Sequence, residues 1–119
     1  MGKFIVLETN KGFTFHLKAG NGECILTSEL YNSKASCLNG IQSVKNNAQS
    51  APIEDQTVKD AKSVNHPKFV IFNDKAGKVR FHLTAKNGQI IGASEPYNSK
   101  QSCKNGIDSV KRNSDSEVF

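Results

Sequence analysis

Phe15-His16-Leu17-Lys18-Ala19-Gly20-Asn21-Gly22 returns as Phe81-His82-Leu83-Thr84-Ala85-Lys86-Asn87-Gly88, and the register holds without a gap to Ser43-Val44-Lys45 and Ser109-Val110-Lys111. Most aligned positions are identical, the mark of an internal duplication. Upstream, Phe4-Ile5-Val6-Leu7 matches Phe69-Val70-Ile71-Phe72 one register short, so the intervening turn differs by one residue. A chain of 119 residues can bury one ordinary core, whereas half that length is marginal alone. The copies are therefore expected to share a core in a single pseudo-two-fold domain. Repeat 1 is read as residues 1–55, a linker as 56–66 and repeat 2 as 67–119.

Each copy opens with three strand signals. Lys3–Glu8 and Lys68–Asn73 are continuously apolar, which predicts burial on both faces or a central place in a sheet. The second run alternates: Val79, Phe81, Leu83 and Ala85 point one way, and Arg80, His82, Thr84 and Lys86 the other. Phe13, Phe15, Leu17 and Ala19 against Thr14, His16 and Lys18 repeat that pattern. Asn21-Gly22 and Asn87-Gly88 suit tight hairpins because Asn and Gly tolerate positive φ. Third strands follow at Glu23–Ser28 and Gln89–Ser94, the second stopped by Pro96.

A helical period comes next. Cys37, Ile41, Val44 and Ala48 fall on one face, and Cys103, Ile107 and Val110 repeat the stripe. Ser33 and Ser99 stand at the N-cap positions. Gly40 and Gly106 interrupt each helix at a cost of roughly 0.8–1 kcal/mol against Ala, which predicts close packing of that turn against the sheet or the sister helix. Short extended pieces close each copy at Pro52-Ile53-Glu54 and Glu117-Val118-Phe119, and Gln56–His66 reads as a polar linker ended by Pro67. Each unit is β-β-β-α-β, so the fold class is α+β, with one mainly antiparallel sheet and two helices on one face.

Ser28-Glu29-Leu30-Tyr31-Asn32-Ser33-Lys34 with Asn39-Gly40-Ile41-Gln42-Ser43-Val44-Lys45 resembles the YegP-like family of small bacterial and archaeal proteins, a domain of unknown function. Ser94-Glu95-Pro96-Tyr97-Asn98-Ser99-Lys100 with Asn105-Gly106-Ile107-Asp108-Ser109-Val110-Lys111 carries the same resemblance, which spans nearly the whole chain apart from the linker. It implies β(3)-α-β units assembled into one shared sheet, with the last strand of each unit exchanged into the other half. It brings no catalytic residues.

Composition narrows the function classes. No run approaches the roughly 18 apolar residues of a membrane span, and the strand-like N-terminus leaves no room for a signal peptide. Cys24, Cys37 and Cys103 form no metal or disulfide spacing, which suits reduced thiols in the cytoplasm. The net charge of +5 is uneven. Residues 1–65 hold seven lysines against six carboxylates, and residues 66–119 hold nine Lys/Arg against five. A basic second half points to nucleic acid or another polyanion.

His16 and His82 share an outward strand position, where pairing with Glu29 or Glu95 would make acid–base pairs. Without a nucleophile motif beside them, solvated histidines are the reading kept, and neither enzyme activity, cofactor nor metal is expected. Glu29 and Glu95 are expected to contact helix N-termini or loop amides. Cys37 and Cys103 are expected in the core, with Cys24 more accessible. Tyr31 and Tyr97 are expected as packed aromatics whose hydroxyls reach loop backbone. The candidate polyanion-binding face is Arg80, His82, Lys86, His16 and Lys18, with the second copy dominant because Arg80 and Lys86 replace Thr14 and Gly20. Lys100, Lys104 and Lys111 line one side of the second helix, where Asp108 can pair with Lys104. A non-enzymatic polyanion-binding module is thus expected, acting as a monomer built like a dimer. The alternative is a protein-interaction or structural module using the same open face.

Overall fold

The computed structural model describes residues 2–119. Repeat 1 forms β1 (Lys3–Thr9), β2 (Gly12–Lys18), β3 (Cys24–Ser28), α1 (Lys34–Asn47) and β4 (Ile53–Asp55). Repeat 2 forms β5 (Phe69–Asn73), β6 (Val79–Thr84), β7 (Ile90–Ala93), α2 (Lys100–Asn113) and β8 (Glu117–Val118). All eight strands make one sheet in the order β4-β5-β6-β7-β3-β2-β1-β8. The expected exchange is present. β4 leaves its own copy to pair in parallel with β5, and β8 pairs in parallel with β1. The pseudo-dyad runs between β3 and β7, where Thr27 faces its own equivalent Ala93.

Alternation along β2 and β6 sends Phe15, Leu17, Phe81 and Leu83 to the helix-covered face, all fully buried. They share one core with Phe4, Phe69 and Ile71 from the neighbouring strands and with Cys37, Ile41, Val44, Cys103, Ile107 and Val110 from the helices. Each half stacks its aromatics alike. Phe4 meets Phe15 edge-on at 5.8 Å and Phe15 stacks on Tyr31 at 6.4 Å; Phe69, Phe81 and Tyr97 repeat both contacts. Ser33 and Ser99 cap as expected, each accepting a 3.1 Å bond from the amide three residues on.

The mid-helix glycines have a steric cause. A Cβ on Gly40 would run into the Tyr31 hydroxyl, and one on Gly106 into that of Tyr97. The tyrosine hydroxyls thus lie over a helix turn, rather than on loop backbone. At the dyad, Gly92 stands where copy one has Leu26, because a Cβ there would lie 2.7 Å from the Thr27 carbonyl oxygen and 3.2 Å from Leu26 itself. One large side chain fills a space that cannot take two.

Three local expectations are revised. In the two Asn-Gly turns the glycines Gly22 and Gly88 take positive φ but the asparagines do not; Asn21 and Asn87 instead accept 3.0 Å bonds from the amides of Glu23 and Gln89. Burial on both faces holds for β5, where Phe69, Val70 and Ile71 are all buried, but not for β1, where only Phe4 is. On α2, Asp108 makes no ion pair with Lys104 among the described residues; Lys100 pairs with Asp55 at 2.9 Å, and Lys111 lies over the Phe69 ring.

Gly40→Ala should destabilise by about 1–3 kcal/mol through overpacking, against a helix-propensity gain of about 1 kcal/mol. Adding Tyr31→Phe should recover most of that loss in urea unfolding, and no recovery would show that the hydroxyl is not the obstacle. Deleting residues 116–119 should also speed amide exchange in β1 before β5, since Val6 donates to the Phe119 carbonyl at 2.9 Å.

Candidate functional site

The helices cover one face of the sheet; the candidate residues are set by what the other face presents. One row crosses it through paired positions: Ile5, His16, Thr27, Ala93, His82, Val70 and Glu54. His16 and His82 flank the dyad three strand intervals apart, roughly 14 Å. A second cross-strand pair sets Lys3 directly opposite Lys18, and at the same site in the second half Lys68, just ahead of β5, accepts a 2.9 Å backbone bond from Thr84.

The two halves of this face differ because residues 56–66 fold back over the second. The Glu54 carboxylate holds that segment: it accepts from the Val64 amide at 2.9 Å, from Gln56 Nε2 at 2.5 Å and from Lys68 Nζ at 2.8 Å. Lys68 Nζ also donates to the Val64 carbonyl at 3.1 Å, and His66 Nδ1 lies 2.8 Å from Thr84 Oγ1. Under this cover Val70, Thr84, Lys68 and Glu54 are buried, although none belongs to the helix-side core. The hydrogen bonds from Lys68, Gln56 and Val64 hold the Glu54 carboxyl at about 2. Burial pushes the neighbouring Asp55 upward, but bonds from Thr57 and Lys100 outweigh it and hold that carboxyl at about 2 as well. Nothing in the polar, aperiodic linker sequence signals this clasp.

The proposed polyanion residues separate accordingly. Arg80 turns its guanidinium onto the Ser94 carbonyl, with Nη2 at 2.9 Å and Nε at 3.2 Å. His82 is half-buried beside the Phe72 ring; burial, then the Lys68 charge, push its pKa below the ordinary histidine value. Lys86 lies past the end of β6, lining a depression of about 300 Å³ with Ser43, Asn46 and Asn47 of α1, away from the sheet face. His16 and Lys18 remain on the uncovered half. Neither carboxylate of Glu29 or Glu95 takes a hydrogen bond among the described residues, so the partner of His16 is not Glu29. It is Cys24, whose Sγ lies 3.0 Å from His16 Nδ1. Cys37 and Cys103 are in the core as expected, where burial raises both thiols, Cys103 to about 11. Among the described residues no three of His, Cys, Asp and Glu converge as a metal site, and no helix is long and apolar enough to cross a membrane.

Comparison with known proteins matches this architecture. A family model described as a domain of unknown function, DUF1508, matches residues 8–55 and 74–119, one segment in each repeat. The UPF0339 protein YegP of Yersinia pestis is 43% identical over 120 residues, covering 100% of this chain and 94% of that protein. A UPF0339 protein of Shewanella oneidensis is 47% identical over 105 residues, covering 88% of this chain and 82% of its own. The solution NMR structure of yegP from E. coli, a protein of unknown function, superposes with a TM-score of 0.80 at 40% identity, over 98% of this chain and 89% of that one.

The clasp predicts an acid dependence. The folded-state pKa of Glu54 lies below its unfolded value, so its contribution is complete above the ordinary carboxylate range. It is lost as pH falls through about 2. Glu54→Gln should destabilise at neutral pH, because Lys68 is left buried without its counter-charge. The variant should also show a shallower loss of stability in urea melts as acid is added. Equal slopes for the two proteins would remove Glu54 as the source.

Proposed function

We propose that this chain, which belongs to the DUF1508 family, is a non-enzymatic cytoplasmic module that binds nucleic acid or another polyanion across the uncovered half of its sheet. It does so as a monomer whose repeats stand in for the two subunits of a dimer. One observation carries the reading. Lys3 and Lys18 face each other across β1 and β2, and neither forms an ion pair among the described residues, although Glu117 of β8 stands in register with Lys3 on its other side. Like charges directly opposed on a sheet destabilise it, and a bridging phosphate turns that repulsion into attraction. The matching site in the second half has no such capacity, because Lys68 is neutralised by Glu54. The dominant half is therefore the first, the reverse of the order suggested by charge counts. His16, one row from Lys18, and the Phe119 ring 5.9 Å from Lys3 Nζ extend the surface with groups on which bases stack.

A second reading rests on a different place. Val6, Phe13, Leu38 and Val118 line a cleft of about 590 Å³ between α1 and β8, and Leu38 and Val118 are both exposed. That surface suits an apolar protein partner.

Ionic strength separates the two. A labelled pyrimidine single strand should bind with an affinity that falls as salt rises, and Lys3→Gln with Lys18→Gln should lower that slope by about 0.7 per lost phosphate contact. Arg80→Gln with Lys86→Gln should change it less. Unaltered binding by the Lys3/Lys18 variant would overturn this assignment of the face, and a salt-insensitive protein partner blocked by Leu38→Asp would favour the second reading.

A further inference from the structure

We propose that Cys24 and His16 form a nucleophile–base pair that makes Cys24 a site of reversible modification by low-molecular-weight disulfides such as oxidised glutathione. A β-bulge creates the pair. Register runs Leu17 to Leu26 and then Lys18 to Cys24, so Ile25 is the extra residue. Ile25 and Leu26 both turn into the core, and the next side chain outward, Cys24, emerges on the open face beside His16. Strict alternation would have put Cys24 on the same side as Leu26; re-aiming a side chain in this way is what bulges do.

The surroundings fit nucleophilic chemistry. Sγ lies 3.0 Å from His16 Nδ1, inside hydrogen-bond reach for a thiol and an imidazole. Thr27 Oγ1 stands 3.5 Å from both, bracing the pair from the side. Lys18, the cross-strand neighbour of Cys24, places a cation next to the developing thiolate. Both partners are partly exposed on the half of the face that residues 56–66 leave open. The duplication supplies a contrast: the second copy keeps His82 but has Ile90 in place of Cys24, so the pair exists once.

The reaction balances without a further oxidant. The Cys24 proton passes to His16 Nδ1, and the thiolate attacks one sulfur of the small disulfide. That S–S bond breaks as the Cys24 mixed disulfide forms. The departing thiolate leaves with the bonding electron pair and recovers the proton from His16. One disulfide and one thiol enter, and one of each leaves.

Folded protein incubated with oxidised glutathione should acquire a single adduct, mapped by peptide mass spectrometry to Cys24. Its rate should exceed that of an unstructured cysteine peptide at the same pH by about tenfold. His16→Gln should remove that advantage, and Cys24→Ile, the residue of the sister copy, should abolish the adduct. Cys37 and Cys103, fully buried, report on folding in the same spectra. Should His16→Gln expose them, the wild-type rate against the peptide decides alone. A Cys24 rate no faster than the peptide, or one that persists undiminished in a folded His16→Gln variant, overturns the pair.

Discussion

The parallel pairing of β4 with β5 and of β8 with β1 is the constraint from which the remaining asymmetry follows. Each closing strand completes the other copy's half of the sheet, so neither repeat holds all its own strands. The two exchanges are equivalent in geometry but not in connection. β4 is followed in the chain by the strand it pairs with, and parallel neighbours need a crossover of a dozen residues or so. β8 pairs with a strand that precedes it and needs none. The helix face is already filled by α1 and α2, which leaves the open face for the crossover. Residues 56–66 therefore cover the second half of that face and leave the first bare.

This is why the candidate face divides as it does. The same cross-strand position carries Lys3 and Lys18 in one half, and Lys68 bonded to Thr84 in the other. Beneath the crossover a lysine must lose water, and a buried charge is tolerated only when paired. Glu54 supplies the partner and, by also accepting from Val64 and Gln56, fixes the path of the segment that buries it. The charge there is spent on structure. In the bare half, the same residue type remains hydrated, opposed to another cation and available to a ligand.

Much of this was legible in the chain itself. The duplication, the period-2 strands and the capped helices correspond to strong local signals, Phe15 and Phe81 inward and Ser33 and Ser99 at the caps, whereas the exchange came only from what the family resemblance implies. What escaped reading depends on contacts between distant segments. The apolar runs of β1 and β5 look alike, yet only Val70 gains a cover from a segment whose own sequence shows no period. Lys86 continues the alternation of β6 on paper, but the strand ends at Thr84 and the turn carries it toward α1. Gly40 was recognisable as a packing glycine; that a tyrosine hydroxyl makes the contact was not.

The bulge at Ile25 shows the same limit at the scale of one residue. A strand with period 2 assigns faces by counting, and an extra residue inverts the count beyond it. Both copies carry the inversion, at Leu17/Lys18 and at Leu83/Thr84, so it belongs to the repeated unit and not to one half. What differs is the side chain it turns outward. Ile90 leaves an exposed apolar group, whereas Cys24 emerges next to an imidazole and across from a lysine on the uncovered half. A fold-wide irregularity thus acquires chemical consequence through the side chain that it turns outward, a thiol beside His16 in one copy and an aliphatic group in the other. The asymmetry of connection decides which lysine is held under the crossover, Lys68 rather than Lys3, and the residue turned out at the bulge decides which copy presents a thiol.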